Sequence, residues 1–130
     1  MGELTIENLG KTYHRREGWN TTRSLKVFED ISMQVADGEF VSIIGTSGCG
    51  KSTLLNITAG LDKATAGRTR VAGQEVTGPG LDRGVVFQEF ALFPWLTTLD
   101  NVAFGLQSKG VPKSERRGIA QKYVDLVGLS

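Results

Sequence analysis

The feature that most constrains this chain is a glycine-rich run at residues 45–53, GTSGCGKST. It matches the pattern G-x-x-x-x-G-K-[ST] and lies between an apolar run at 40–44 and an apolar-rich segment that begins at Leu54, so we expect a strand, a tight loop and a helix. Glycines let a polyphosphate lie against bare backbone, whose N–H groups attract anions together with the helix N-terminus. Lys51 can reach the outer phosphates, and the Ser52 hydroxyl is suited to Mg²⁺. The run therefore predicts a polyphosphate-binding loop.

Composition and charge indicate a globular chain that is one domain or part of one. Its 130 residues, 39% of them hydrophobic, are enough to bury a core. The formal charge is +1 without a basic stripe, so we expect no nucleic-acid partner. The single cysteine, Cys49, excludes an internal disulfide and fits a reducing compartment. The first residues lack the pattern of a signal peptide and no apolar run reaches the about 20 residues that span a bilayer, so we expect a soluble chain.

Strand-like patterns dominate the first half of the chain. Alternating or short apolar runs predict strands at 4–9, 25–28, 31–35, 40–44, around 68–71 and at 84–87. The polar, aperiodic stretch 14–24 predicts a loop. Strands interleaved with helices around a phosphate loop predict an α/β fold with an antiparallel β portion on its N-terminal side.

Helical patterns follow the phosphate loop and fill the last third of the chain. The first helix is expected to end near Gly60, which suits a left-handed cap. Thr97 and Asp100 resemble a capping box before a second helix with the apolar face Leu99, Val102, Ala103 and Leu106. The third helix is predicted to bury the stripe Ile119, Tyr123, Leu126 and Val127. We expect residues 1–97 to form a phosphate-loop core and residues 98–130 to begin a helical subdomain.

Three features outside the loop have a functional and a structural interpretation. Tyr13 follows the opening strand and could stack on a base, or it could be an ordinary hairpin tyrosine. Gln88 ends a predicted strand, and its amide could ligate Mg²⁺ or hold a water, or lie idle at the surface. The aromatic segment 92–95 could be a hydrophobic docking patch or could pack under the following helix.

In this order, these features resemble the ATP-binding subunits of ABC transporters. The likeness covers essentially the whole chain and is carried by Tyr13, the phosphate loop, the run 56–62 and residues 86–88. Residues 87–96 together with 99–106 look most like the nitrate, sulfonate and taurine importers. The resemblance implies a P-loop fold of the ABC type.

The resemblance also implies ATP and Mg²⁺ as cofactors and a role for each matching residue. Tyr13 would stack on adenine, Lys51 would bridge the outer phosphates, and Gln88 would sense the γ-phosphate as the glutamine-loop residue. Ser52 and Gln88 would hold the metal. The implied cofactor-binding set is Tyr13, Gly45, Ser47, Gly48, Cys49, Gly50, Lys51, Ser52, Thr53 and Gln88.

The resemblance implies two partners, a membrane permease and a second ATP-binding subunit. It implies no nucleic-acid partner. The segment from Gln88 to Trp95 would touch the permease, and the two ATP-binding subunits would pair head to tail. Such a protein would be cytoplasmic and peripheral to the inner face of the membrane.

The family's next elements are a signature motif, a strand ending in Asp-Glu and a switch histidine, and none is present in these residues. His14 precedes the loop and is not the switch histidine, and Glu89 is not the missing glutamate. We therefore expect no catalytic residue here, and hydrolysis only in a longer subunit of which these residues are the N-terminal part. The alternatives are a non-hydrolysing nucleotide-binding fragment and another P-loop enzyme such as a nucleotide kinase.

Overall fold

The structure is a computed structural model that describes residues 2–130. It contains two compact units, Met1–Val85 and Val86–Ser130. The first holds the sheet and one helix, and the second holds two helices. The predicted boundary between a core and a helical subdomain after residue 97 stays a prediction.

A four-stranded antiparallel sheet forms the frame of the first unit. Its strands are β1 (Leu4–Glu17), β2 (Thr21–Val35), β3 (Ala66–Val71) and β4 (Gln74–Glu75), in the spatial order β2-β1-β3-β4. β1 pairs with both β2 and β3, so it is one of the two inner strands, and it contributes Ile6 and Leu9 to the core. The antiparallel portion predicted on the N-terminal side is present.

The first two strands are longer than their sequence pattern indicated. The loop predicted at 14–24 is wrong, because β1 continues to Glu17 and pairs with a single strand that contains both 25–28 and 31–35. The extension is exposed and polar on both faces, so it lacks the apolar alternation by which a strand is recognised. A two-stranded ribbon is nevertheless held by its backbone hydrogen bonds and cross-strand pairs.

Helix α1 (Lys51–Ala59) packs Leu54 and Ile57 against the sheet. Leu54 and Ile57 are buried with Ile6 and Leu9 of β1, and these four residues form the core cluster. Burying side chains of this size contributes about 1.5–3 kcal/mol each. The helix ends at Gly60 with φ 82°, so the predicted left-handed cap is confirmed.

The strands predicted at 40–44 and 84–87 are wrong, since neither stretch has regular secondary structure. Phe40 is 91% exposed, Ile44 is 95% exposed and Val86 is fully exposed. An apolar run of this kind becomes a buried strand only where neighbours pair with its edges and cover both faces. Within residues 2–130 no strand pairs with either run.

The second unit contains helices α2 (Thr98–Ser108) and α3 (Lys113–Leu126). Half of the predicted capping box is confirmed, since the Asp100 N–H donates to Thr97 Oγ1 at 3.1 Å, while the Asp100 carboxylate accepts from the Thr97 hydroxyl at 2.9 Å. The stripe predicted for α3 is wrong: Tyr123, Leu126 and Val127 are exposed, whereas Ala120 and Val124 are buried. Among the helices described in residues 2–130, none is both long and apolar enough to cross a bilayer.

Candidate nucleotide-binding site

The glycine-rich loop enters α1 with an uncapped N-terminus. Gly48 and Gly50 have φ values of 80° and 97°, a region that glycine adopts without steric cost. Gly50 is the N-cap residue, no side chain caps the helix, and its first turn carries no acidic residue. The backbone N–H groups of the first turn are therefore left for an external acceptor, which is the condition for binding an anion.

Lys51 folds back across the loop. Its Nζ donates to the Gly45 carbonyl at 2.6 Å and to the Thr46 carbonyl at 2.8 Å, and lies 3.4 Å from Cys49 Sγ. The ammonium therefore lies inside the curve of the loop, where its charge adds to the positive end of the helix dipole. Both contributions favour a polyphosphate at this position.

Two glycines of the loop have no room for a side chain. A Cβ on Gly45 would lie 2.6 Å from Cys49 Sγ, and one on Gly50 would lie 2.7 Å from Val27 Cγ1 of β2. Both separations are shorter than real Cβ contacts. The close approach of Gly50 fixes the start of α1 against the sheet.

The contact with Val27 depends on a β-bulge. Lys11 pairs with Phe28 and Thr12 pairs with Lys26, which leaves Val27 as the extra residue in β2. Tyr13 pairs with Leu25, three residues before Phe28 and so about 10 Å away along an extended strand. Tyr13 and the phosphate loop are thus both placed by this part of β2.

The Tyr13 side chain is held by contacts with two residues that the sequence analysis did not single out. Its hydroxyl donates to Asp62 Oδ2 at 2.7 Å, and Lys11 Nζ lies 4.6 Å from its ring centroid. Hydrogen bonds from Tyr13 and Lys11 lower the pKa of Asp62 below its usual value, so this carboxylate is ionised at neutral pH. The run 56–62 contains Asp62, but nothing in its pattern indicates a contact with residues about fifty positions earlier.

Gln88 and the aromatic segment belong to the second unit. Gln88 is exposed in an irregular stretch that precedes α2, and its role toward a phosphate or a metal stays a prediction. Phe93 packs on Phe104 at a centroid distance of 4.5 Å and on Trp95 at 5.4 Å. Packing against the following helix is thus confirmed for Phe93, whereas Trp95 is 76% exposed and the docking patch stays a prediction.

Comparison with known proteins identifies the family. The family profile described as ABC transporter matches residues 28–130. The chain belongs to the ABC transporter family. An uncharacterised ABC transporter ATP-binding protein of Methanocaldococcus jannaschii is 50% identical over 127 residues, 98% of this chain and 46% of that protein. The nitrate import ATP-binding protein NrtD of Synechocystis sp. is 47% identical, over 97% of this chain and 46% of its own length.

A third ABC relative is the taurine import ATP-binding protein TauB of Pseudomonas aeruginosa, which is 45% identical over 99% of this chain and 47% of its own length. The chain thus spans about half the length of the curated relatives it matches. The predicted likeness to the nitrate and taurine group is confirmed by these relatives.

A solved ABC structure confirms the fold class. The ATP-binding cassette MJ0796, described as a dimer in a post-hydrolysis state bound to ADP and Pi, matches with a TM-score of 0.78. The match is 34% identical and covers 94% of this chain and 56% of that chain. The predicted α/β P-loop fold of the ABC type is therefore established.

Asn101 is a further residue that the sequence analysis missed in this ABC chain. Its Oδ1 accepts from the Phe93 N–H at 2.9 Å, and its Nδ2 donates to the carbonyls of Phe93, Leu96 and Thr97. One amide of α2 thereby fixes the aromatic segment. Asparagine side chains commonly hydrogen-bond the backbone of a nearby turn, and such a contact can be recognised from sequence. Here the backbone partners of Asn101 lie before the helix that carries it, so the sequence did not indicate them.

Replacing Asn101 by alanine should release this segment. Loss of one hydrogen bond of about 1.4 kcal/mol corresponds to about tenfold faster hydrogen exchange at the Phe93 amide. Exchange measured by NMR or mass spectrometry would show it, with the exposed Gln107→Ala on the same helix as control. Equal exchange rates in the two variants would show that Asn101 does not hold the segment.

Proposed function

We propose that this chain binds Mg-ATP as the nucleotide-binding part of an energy-coupling subunit of an ABC importer. The observation that carries the proposal is the uncapped N-terminus of α1 with Lys51 folded into the glycine loop. The similar MJ0796 cassette, which is bound to ADP and Pi, supports the choice of nucleotide.

The residues around the loop are compatible with Mg²⁺. Ser52 is exposed in the first turn of α1 and offers a neutral oxygen ligand. Mg²⁺ commonly takes few protein ligands and completes its shell with waters and substrate phosphates. Ser52 would hold the ion, which would neutralise charge on the outer phosphates, and the role of Gln88 as a second ligand stays a prediction.

We also propose that the aromatic segment contacts a membrane permease. The exposed side chains of Phe90, Leu92 and Trp95 supply an apolar surface that water would otherwise cover. The contact with the permease would place the protein at the cytoplasmic face of the membrane.

The dimeric state of the MJ0796 cassette supports pairing of this chain with a second ATP-binding subunit.

The importer's solute is proposed from the relatives alone. Two of them are described as nitrate and taurine import proteins, so we propose a small oxyanion or sulfonate. In such a system the solute would contact the permease and an external binding protein, and this subunit would contact ATP.

Nucleotide binding is tested by competition against a fluorescent ATP analogue. ATP should displace the analogue at least about 100-fold more effectively than adenosine, because charged hydrogen bonds to phosphates contribute about 3 kcal/mol or more in total. Chelating Mg²⁺ with EDTA should weaken ATP binding. Equal competition by adenosine and ATP would contradict phosphate recognition by the loop.

Hydrolysis is expected only in a longer protein that contains the signature motif, the Asp-Glu strand and the switch histidine. Phosphate release measured on such a protein, without an added acceptor, separates the ATPase from a nucleotide kinase. Transfer of the γ-phosphate to a nucleotide acceptor would favour the kinase. Binding without turnover in the longer protein would favour the non-hydrolysing alternative.

A further inference from the structure

A cluster of three side chains lies at the end of the hydrophobic core, formed by Lys11, Tyr13 and Asp62. Lys11 and Tyr13 are two positions apart in β1, so their side chains leave the same face of the sheet. Asp62 follows the C-terminal cap of α1 and contacts both side chains. The cluster therefore connects the end of the helix to the strand that carries Tyr13.

Both oxygens of Asp62 are used within the cluster. Oδ2 accepts the Tyr13 hydroxyl at 2.7 Å, and Oδ1 accepts Lys11 Nζ at 2.9 Å. Oδ1 also accepts the Lys63 N–H at 2.8 Å, which fixes the carboxylate to its own loop. The hydroxyl of Tyr13 is thus bonded to a carboxylate that is itself held by Lys11 and by its own loop.

Lys11 is buried to an unusual degree for a lysine, with 9% of the residue exposed. Besides Asp62 it donates to the Lys63 carbonyl at 2.5 Å, and its ammonium lies over the Tyr13 ring. The cation occupies one side of the ring, while 41% of the tyrosine remains exposed. The ring is therefore fixed in one orientation and still partly open to a planar ligand.

We propose that Asp62 and Lys11 are positioning residues that hold the Tyr13 ring ready to stack on the base of the nucleotide. This inference rests on the proposed binding of ATP. A ring that is already ordered loses less side-chain freedom on binding. Holding the ring in place should raise the affinity about three- to tenfold, and only for ligands that have a base.

The test compares ATP with inorganic tripolyphosphate, which fits the loop but has no base. Tyr13→Phe removes the hydroxyl and leaves the ring and the Lys11–Asp62 ion pair. We expect this variant to bind ATP about three- to tenfold more weakly and tripolyphosphate unchanged. Lys11→Met should also weaken the binding of ATP, and it should leave the binding of tripolyphosphate unchanged.

Tyr123→Phe is the matched control, because Tyr123 is the other tyrosine of the chain and is exposed on α3. It should leave both ligands unaffected. Unchanged ATP affinity in Tyr13→Phe, or an equal loss for ATP and tripolyphosphate, would overturn the positioning role. Failure of the unaltered chain to bind either ligand would instead overturn the proposed function together with this inference.

Discussion

Lys51→Ala is expected to weaken ATP binding by about 10- to 100-fold. A hydrogen bond to a charged group contributes about 1.5–3 kcal/mol, and 1.4 kcal/mol corresponds to a factor of ten. The Lys51 ammonium lies inside the loop, 2.6 and 2.8 Å from two of its carbonyl oxygens. A phosphate entering the loop would meet this charge, and alanine would leave only the backbone N–H groups.

Isothermal titration with Mg-ATP measures this loss directly. Lys122→Ala is a suitable control because Lys122 is exposed on α3, in the other unit. Circular dichroism should show the same helix content in both variants. ATP affinity that is unchanged in Lys51→Ala would mean that nucleotide does not bind at the glycine loop.

Gly67→Ala is expected to destabilise the first unit by about 3 kcal/mol. Gly67 has φ 73°, a conformation that costs an L-residue about 1–2 kcal/mol. A Cβ there would also clash with the carbonyl oxygens of Asn8 and Glu7. Because both atoms are backbone atoms of β1, the strands β1 and β3 would have to separate, at a further cost of about 1–3 kcal/mol.

Gly73→Ala separates these two contributions. Gly73 has nearly the same φ, 78°, but nothing lies within 4 Å of its added Cβ. Gly73→Ala should therefore destabilise the first unit by the conformational cost alone, about 1–2 kcal/mol. Urea unfolding monitored by circular dichroism gives both values. Equal destabilisation by the two substitutions would show that the contact with Asn8 and Glu7 relaxes without cost.

Local chemistry allowed the sequence to predict the ends of helices. Gly60 adopts the left-handed cap and Thr97 accepts the Asp100 N–H, since each signal acts within a few residues. The polyphosphate loop was recognisable for the same reason, because its motif and its helix are contiguous. Its roles toward ATP and Mg²⁺ remain predictions.

Features that depend on distant residues were not predictable. The contact between Tyr13 and Asp62 joins positions 49 apart, so no periodicity indicates it. The run 40–44 has the composition of a buried strand, but composition does not specify which strands will pair with it. On α3 the buried positions are Ala120 and Val124, because the face that packs is decided by the neighbouring helix and not by the largest side chains.

A change in the number of residues has different consequences on the two sides of Leu25, the residue of β2 that pairs with Tyr13 and precedes the bulge at Val27. The ribbon beyond Tyr13, residues 14–24, is exposed, so added or deleted residues there would alter neither Tyr13 nor Gly50. Between Leu25 and Phe28 a single inserted residue would change the separation of the ring from the loop by about 3.4 Å. In the proposed binding mode, the distance between the site of the base and the site of the phosphates would thus depend on the residue count of this short part of β2.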